Sequence, residues 1–147
     1  TLVFPVLTQR IIPFPMAENQ AAVFARVWSG RLALPPRDQM KAWEDALVAE
    51  KGDGTAFHLL SFPQDETHLN MLYQWAARAE KRDGLANGGK GKQGTYWGER
   101  EKWLRSLFPE IRRRFVAKGP DRHKIKSVVE LGYDFDRWRE EQTGSRL

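Results

Sequence analysis

The sequence contains no cysteine. That excludes a disulfide scaffold and any thiolate-bound metal, and leaves no argument for secretion. Histidine is scarce: His58, His68 and His123 are too scattered for the two-histidine spacing of a helical metal site, and no metal ligand is assigned. The carboxylate pairs Glu44-Asp45, Asp65-Glu66 and Glu140-Glu141 are sequence neighbours, so on helices their side chains diverge onto solvated faces. No nucleophile stands beside a base in any recognisable pattern, and no catalytic residue is assigned. No apolar run approaches the ~18 residues that span a bilayer, and no charged leader precedes a cleavage-like site. The protein is expected to be cytoplasmic or peripheral to an intracellular membrane, not secreted.

What is present suffices for one modest core. The 147 residues are 41% hydrophobic, with six tryptophans and eight phenylalanines. The tryptophans mostly fall on apolar stripes, as core or docking residues. The net charge of +5 is uneven: residues 1–60 hold six basic and six acidic residues, whereas residues 81–126 hold fourteen and five. Such a segment suits nucleic acid, an anionic membrane surface or a cofactor phosphate. Without a base-stacking or zinc-finger pattern, it reads as a solvated helix face beside a lysine-bearing loop, and nucleic acid is not an expected partner. The chain opens at Thr1 inside an apolar run and is expected to be part of a longer protein.

Periodicity predicts a mainly α fold with a short N-terminal strand over residues 1–7. Without partners that strand would be unpaired, so residues 2–7 are expected to be disordered or to pair with another chain. Pro15 and Glu18 mark the first turn of a helix in which Ala21, Phe24, Ala25 and Trp28 share one face, expected to be buried, with Gly30 as the stop. A second helix follows Pro35-Pro36 and Asp38, carries Met40, Trp43 and Leu47 on one face, and stops at Gly52-Asp53-Gly54. An extended stretch is expected over residues 56–62. Pro63 and Asp65 then open a third helix with Leu69, Leu72, Tyr73 and Ala76 in amphipathic register, ending near Asp83-Gly84. Residues 84–95 form a Gly/Lys-rich loop, expected to be mobile. Beyond it Trp103, Leu104, Leu107, Ile111 and Phe115 keep a helical stripe that Pro109 should split in two. Gly132 weakens a continuous helix in the last segment.

Two nucleotide-binding patterns in the glycine loop are rejected. Gly89-Lys90-Gly91-Lys92-Gln93-Gly94 spells GxGxxG, but no apolar strand precedes it to place the glycines under a pyrophosphate. Residues 84–90 spell GxxxxGK, but Gly91 stands where a Ser or Thr would ligate magnesium.

The stretch Ile11-Ile12-Pro13-Phe14-Pro15-Met16-Ala17-Glu18-Asn19-Gln20-Ala21-Ala22, with Val27-Trp28-Ser29-Gly30-Arg31-Leu32 and Leu34-Pro35, resembles the C-terminal signature of flavin-containing monooxygenases, particularly the fungal N- and S-oxygenating ones. Residues 1–7 resemble that family's last FAD-domain strand, with Pro5 and Val6 standing where the family usually has an apolar residue and a glycine. Lys41-Ala42-Trp43-Glu44-Asp45 falls on a Trp-centred helix, and weaker similarity runs through Phe57-His58 and Asp65 to Trp75 and returns at Tyr96-Trp97-Gly98-Glu99-Arg100-Glu101.

The resemblance implies a parent α/β protein with FAD- and NAD(P)-binding Rossmann-like domains. Residues 1–62 would close the FAD domain, and residues 63–147 would add a helical extension. It further implies that NADPH reduces FAD and that a flavin hydroperoxide oxygenates a soft amine nitrogen or thiol sulfur. The implied cofactor contacts are Gln9, Pro13, Phe14, Met16, Ala17 and Gln20, where free amides and the helix dipole meet the flavin's pyrimidine edge. The implied partners are the remainder of the FAD domain and a small amine or thiol substrate. The main cofactor motifs are absent here, so the chain alone is expected to be inactive. The alternative is a small basic helical interaction module that binds a protein or anionic polymer through residues 90–126.

Overall fold

The computed structural model describes residues 2–144. Among these, six α-helices follow in order: α1 Pro13–Trp28, α2 Arg37–Lys51, α3 Gln64–Ala77, α4 Glu99–Ser106, α5 Phe108–Ala117 and α6 Phe135–Gly144. Short 3₁₀ turns lie at Thr55–His58, Gly119–Lys124 and Val128–Leu131. No helix among the described residues is long and apolar enough to cross a membrane. The chain divides into two compact units, Thr1–Trp97 and Gly98–Leu147, with α3 packed on α1 in the first.

The expected N-terminal strand does not form over residues 2–7, and Thr1 lies outside the described residues. Pro5-Val6 makes a turn, Val6 and Arg10 adopt positive φ, and only Gln9 pairs, in an isolated parallel bridge with Leu59. An extended run needs a partner ladder, and none is offered. The expected extended stretch at residues 56–62 begins instead as a 3₁₀ turn, Thr55–His58, and is extended from Leu59, which forms the bridge.

The core of the first unit is Met16, Ala22, Val23, Leu69, Leu72, Ala76 and Trp97. On α3 the predicted stripe holds, although the helix ends at Ala77, before Asp83. On α1 the predicted face is corrected. Ala21, Ala25 and Trp28 are exposed and Phe24 is half-buried, while Met16, Asn19, Ala22, Val23 and Arg26 face inward. The true face lies on nearly the opposite side of the helix, roughly 170° away on a helical wheel at 100° per residue. It includes two polar side chains whose partners lie far away in sequence, and apolar spacing alone passes over them. The first turn of α1 holds no acidic residue either: the helix starts at Pro13, and Glu18, one turn further in, accepts a hydrogen bond from the Thr95 hydroxyl at 2.9 Å.

Those two polar side chains organise the segment that follows α3. Asn19 donates through Nδ2 to the Leu69 and Thr95 carbonyls at 2.8 and 2.9 Å, and its Oδ1 accepts the Thr95 N–H at 2.7 Å. Asn70 does the same for Trp97, donating to its carbonyl at 2.9 Å and accepting its N–H at 2.8 Å. Each amide side chain thus imitates a neighbouring strand for one residue of an extended segment with no sheet to join. Arg26 donates to the Lys90 and Lys92 carbonyls at 2.9 and 3.0 Å, so the loop expected to be mobile is tied to α1.

Helix α2 buries none of its residues. Trp43 is 60% exposed on a face the sequence offers as apolar. In the second unit, Pro109 sits in the first turn of α5, where its missing N–H leaves no unmet partner, and the helical stripe breaks before it as expected. Gly132, at φ +88°, ends the Val128–Leu131 turn and leads to α6. Trp103, Phe135 and Trp138 form an aromatic cluster with ring centroids 5.4–5.6 Å apart, and Leu131 and Tyr133 are buried.

Candidate functional site

The residues singled out in the sequence gather around the start of α1. Pro13 and Pro15 occupy two of the first three helical positions, and Ile12 caps the helix without a side-chain hydrogen bond. The first amides of a helix have no intrahelical acceptor. With two of them replaced by proline, Ile12 and Phe14 are the donors left at this end. The helical register turns the amides of Met16 and Ala17 toward the carbonyls of Ile12 and Pro13, so the expected donor set contracts to its N-terminal members. Phe14 is 82% exposed, whereas the Met16 side chain is fully buried and serves the core; Ala17 is half-buried. With no acidic residue in the first turn, the positive end of the helix dipole is not neutralised within α1.

Gln20 and Gln9 have distinct tasks. The Gln20 side-chain oxygen accepts the Val6 N–H at 2.8 Å, which fastens the N-terminal turn to α1. The Gln9 backbone is used on both sides, donating to the His58 carbonyl at 2.8 Å and accepting from Leu60 N–H at 3.1 Å, which holds the approach to α1 beside Leu59. Between them Val6 sits at φ +58°. A β-branched residue there is a strained outlier, while glycine adopts that conformation freely.

The glycine loop turns three of its amides onto its own carbonyls. Gly89, Lys90 and Gly91 donate their amides to the carbonyls of Leu85, Asn87 and Ala86. The positive φ values of Gly88, Gly89 and Gly91 serve this internal turn. Gly94 is required for a different reason: a Cβ there would come within 1.8 Å of Asn19 Oδ1.

Sequence reasoning missed the buried arginines. Arg26 is 3% exposed, and Arg31 is also buried, donating to the Glu80 carbonyl at 3.0 Å and the Ser29 hydroxyl at 3.3 Å. Burial, and then the neighbouring Arg31, lower the Arg26 guanidinium from its ordinary value. The signal was the spacing Met16, Asn19, Val23, Arg26, a helical stripe with polar members. His68 is lowered by burial and then by Lys51. No group of His, Asp and Glu suited to a metal ion occurs among the described residues. No protein-family model matches the chain.

Proposed function

We propose that this chain is the C-terminal part of an FAD- and NADPH-dependent monooxygenase acting on soft nitrogen or sulfur nucleophiles, and that it is inactive alone. The observation that supports this reading most is the backbone at Val6. Where the resembled family has a glycine, this chain keeps a glycine-type φ of +58° although the residue is β-branched, and Gln20 holds it there. The residues of the Trp28-Ser29-Gly30-Arg31-Leu32 signature also have structural work in keeping with the resemblance. Gly30, at φ +72°, reverses the chain after α1, and Arg31 and Leu32 return their amides to the Arg26 carbonyl.

FAD in such a parent supplies the redox chemistry, with NADPH as the source of electrons. The start of α1 suits the anionic edge of its ring in part. The Phe14 and Ile12 amides and the helix dipole would meet negative charge there, and the exposed Phe14 ring and Gln9 side chain would border it and limit water. Met16 and Gln20 support this surface from behind, one through the core and the other through Val6. Nothing among the described residues replaces a glycine-rich strand-turn-helix, so binding energy for the cofactor would come from the rest of the FAD domain.

The test compares the 147-residue chain with the protein produced from its complete reading frame. The complete protein should carry a flavin absorption spectrum and consume NADPH in the presence of a tertiary amine or a thioether, and the short chain should not bind FAD stoichiometrically. A complete protein without flavin would overturn the reading. So would a short chain that holds FAD and is reduced by NADPH, since it would then be an enzyme by itself.

A further inference from the structure

Helix α5 inverts the usual polarity of a surface helix. Its sequence places Phe108, Arg112, Phe115 and Val116 within one arc of about 100°, and all four are exposed, Val116 at 53%. The opposite side carries the charged work. Arg114 donates to the Leu131 carbonyl at 3.0 Å, lies 4.8 Å over the Tyr133 ring and pairs with Glu110. An amphipathic helix of a self-sufficient unit turns its apolar side chains inward; here two phenylalanines and a valine face out around Arg112. The surroundings are basic. Arg105 stands over the Phe108 ring, and Lys118, Arg122 and Lys126 are exposed on the segment that follows, with Lys118 on the Arg114 side beside Glu130.

We infer that this face of α5 docks on an anionic lipid surface. Charge complementarity selects an anionic partner. The exposed aromatic and aliphatic side chains beside Arg105 and Arg112 select one with an apolar layer beneath its charges: phenyl and isopropyl groups enter the acyl boundary while the guanidinium groups stay among the headgroups. A nucleic acid would use the same cations but offers no layer for Val116, and no hydrogen-bonding pattern for reading bases accompanies the patch.

The natural chain lacks cysteine, so Val116→Cys can be labelled at one place with an environment-sensitive dye. Ala46→Cys, on exposed α2, is the control. Vesicles of phosphatidylcholine alone and with phosphatidylglycerol are titrated into the full-length chain, with circular dichroism checking each variant's fold. The expected result is binding only to the anionic vesicles, weakened by salt, with blue-shifted emission at position 116 and none at 46. Arg112→Glu should weaken that binding by about thirtyfold, the effect of reversing one surface cation at about 1 kcal/mol per charge. Equal binding to neutral vesicles, binding without a shift at 116, or binding of single-stranded RNA in place of vesicles would each overturn the proposal.

Discussion

Replacing Asn19 tests the central structural argument. Asn19 is fully buried, and its side chain is the hydrogen-bonding partner of both the N–H and the carbonyl of Thr95. In Asn19→Ala those two Thr95 groups lose their partner, while the Leu69 carbonyl keeps its acceptor role within α3. A buried polar group left unsatisfied costs about 1–3 kcal/mol, so the pair should cost roughly 3–5 kcal/mol once the small cavity is included. Asn19→Asp separates bonding from volume. It retains an acceptor for the Thr95 N–H but sets a carboxylate against two carbonyls, and should be at least as destabilising. Asn70→Ala should cost a similar amount through Trp97, and the double variant should lose less than the sum, because both side chains hold one segment. Urea unfolding followed by circular dichroism gives the differences. If Asn19→Ala and Asn19→Asp both stay within about 1 kcal/mol of the natural chain, strand imitation by these amides is not what secures residues 95–97.

Three further outcomes are expected. Val6→Gly should raise stability by about 1 kcal/mol in a thermal melt, since relief of a left-handed β-branched residue outweighs the added chain entropy; a loss would refute the strain assigned to this turn. Gly94→Ala should destabilise at least as much as Asn19→Ala because its Cβ overlaps Asn19 Oδ1, whereas Gly88→Ala, with open space around it at φ +62°, should cost only about 1–2 kcal/mol, and equal melting temperatures would contradict this. His68, whose folded pKa lies below the unfolded value, binds its proton more readily in the unfolded chain. Stability should therefore be full above about pH 6.5 and fall as the pH drops from there toward the depressed value. Unfolding midpoints should show the fall, His68→Gln should flatten it, and an unchanged slope would refute the assignment.

Much of the architecture was legible from local chemistry. Pro109 divides the fourth stripe because proline is tolerated only in a helix's first turn, and Gly30 and Gly52 end α1 and α2 because a left-handed residue is needed there. The α3 stripe of Leu69, Leu72 and Ala76 holds because its partners are apolar and need only a face to meet. The α1 face was misread for the opposite reason: Asn19 and Arg26 are buried only because Thr95, Lys90 and Lys92 come to them from much later in the chain.

At the candidate site, the prolines of the Pro13-Phe14-Pro15 turn could be read directly, and their consequence, the loss of two amide donors, follows from the helix register. The assignment of Gln20 to Val6 could not be read, since it depends on a turn folding back across α1. The sequence by itself determined the helices, the stops of α1 and α2 and the basic bias of the second half, because these follow from backbone dihedrals, missing donors and summed charge. Only the tertiary structure decided which polar side chains are interior, that residues 2–7 form no strand, and that α5 turns phenylalanine and valine outward. Each of these depends on whether a distant segment supplies a hydrogen-bonding partner or an apolar cover, and local residue order does not carry that information.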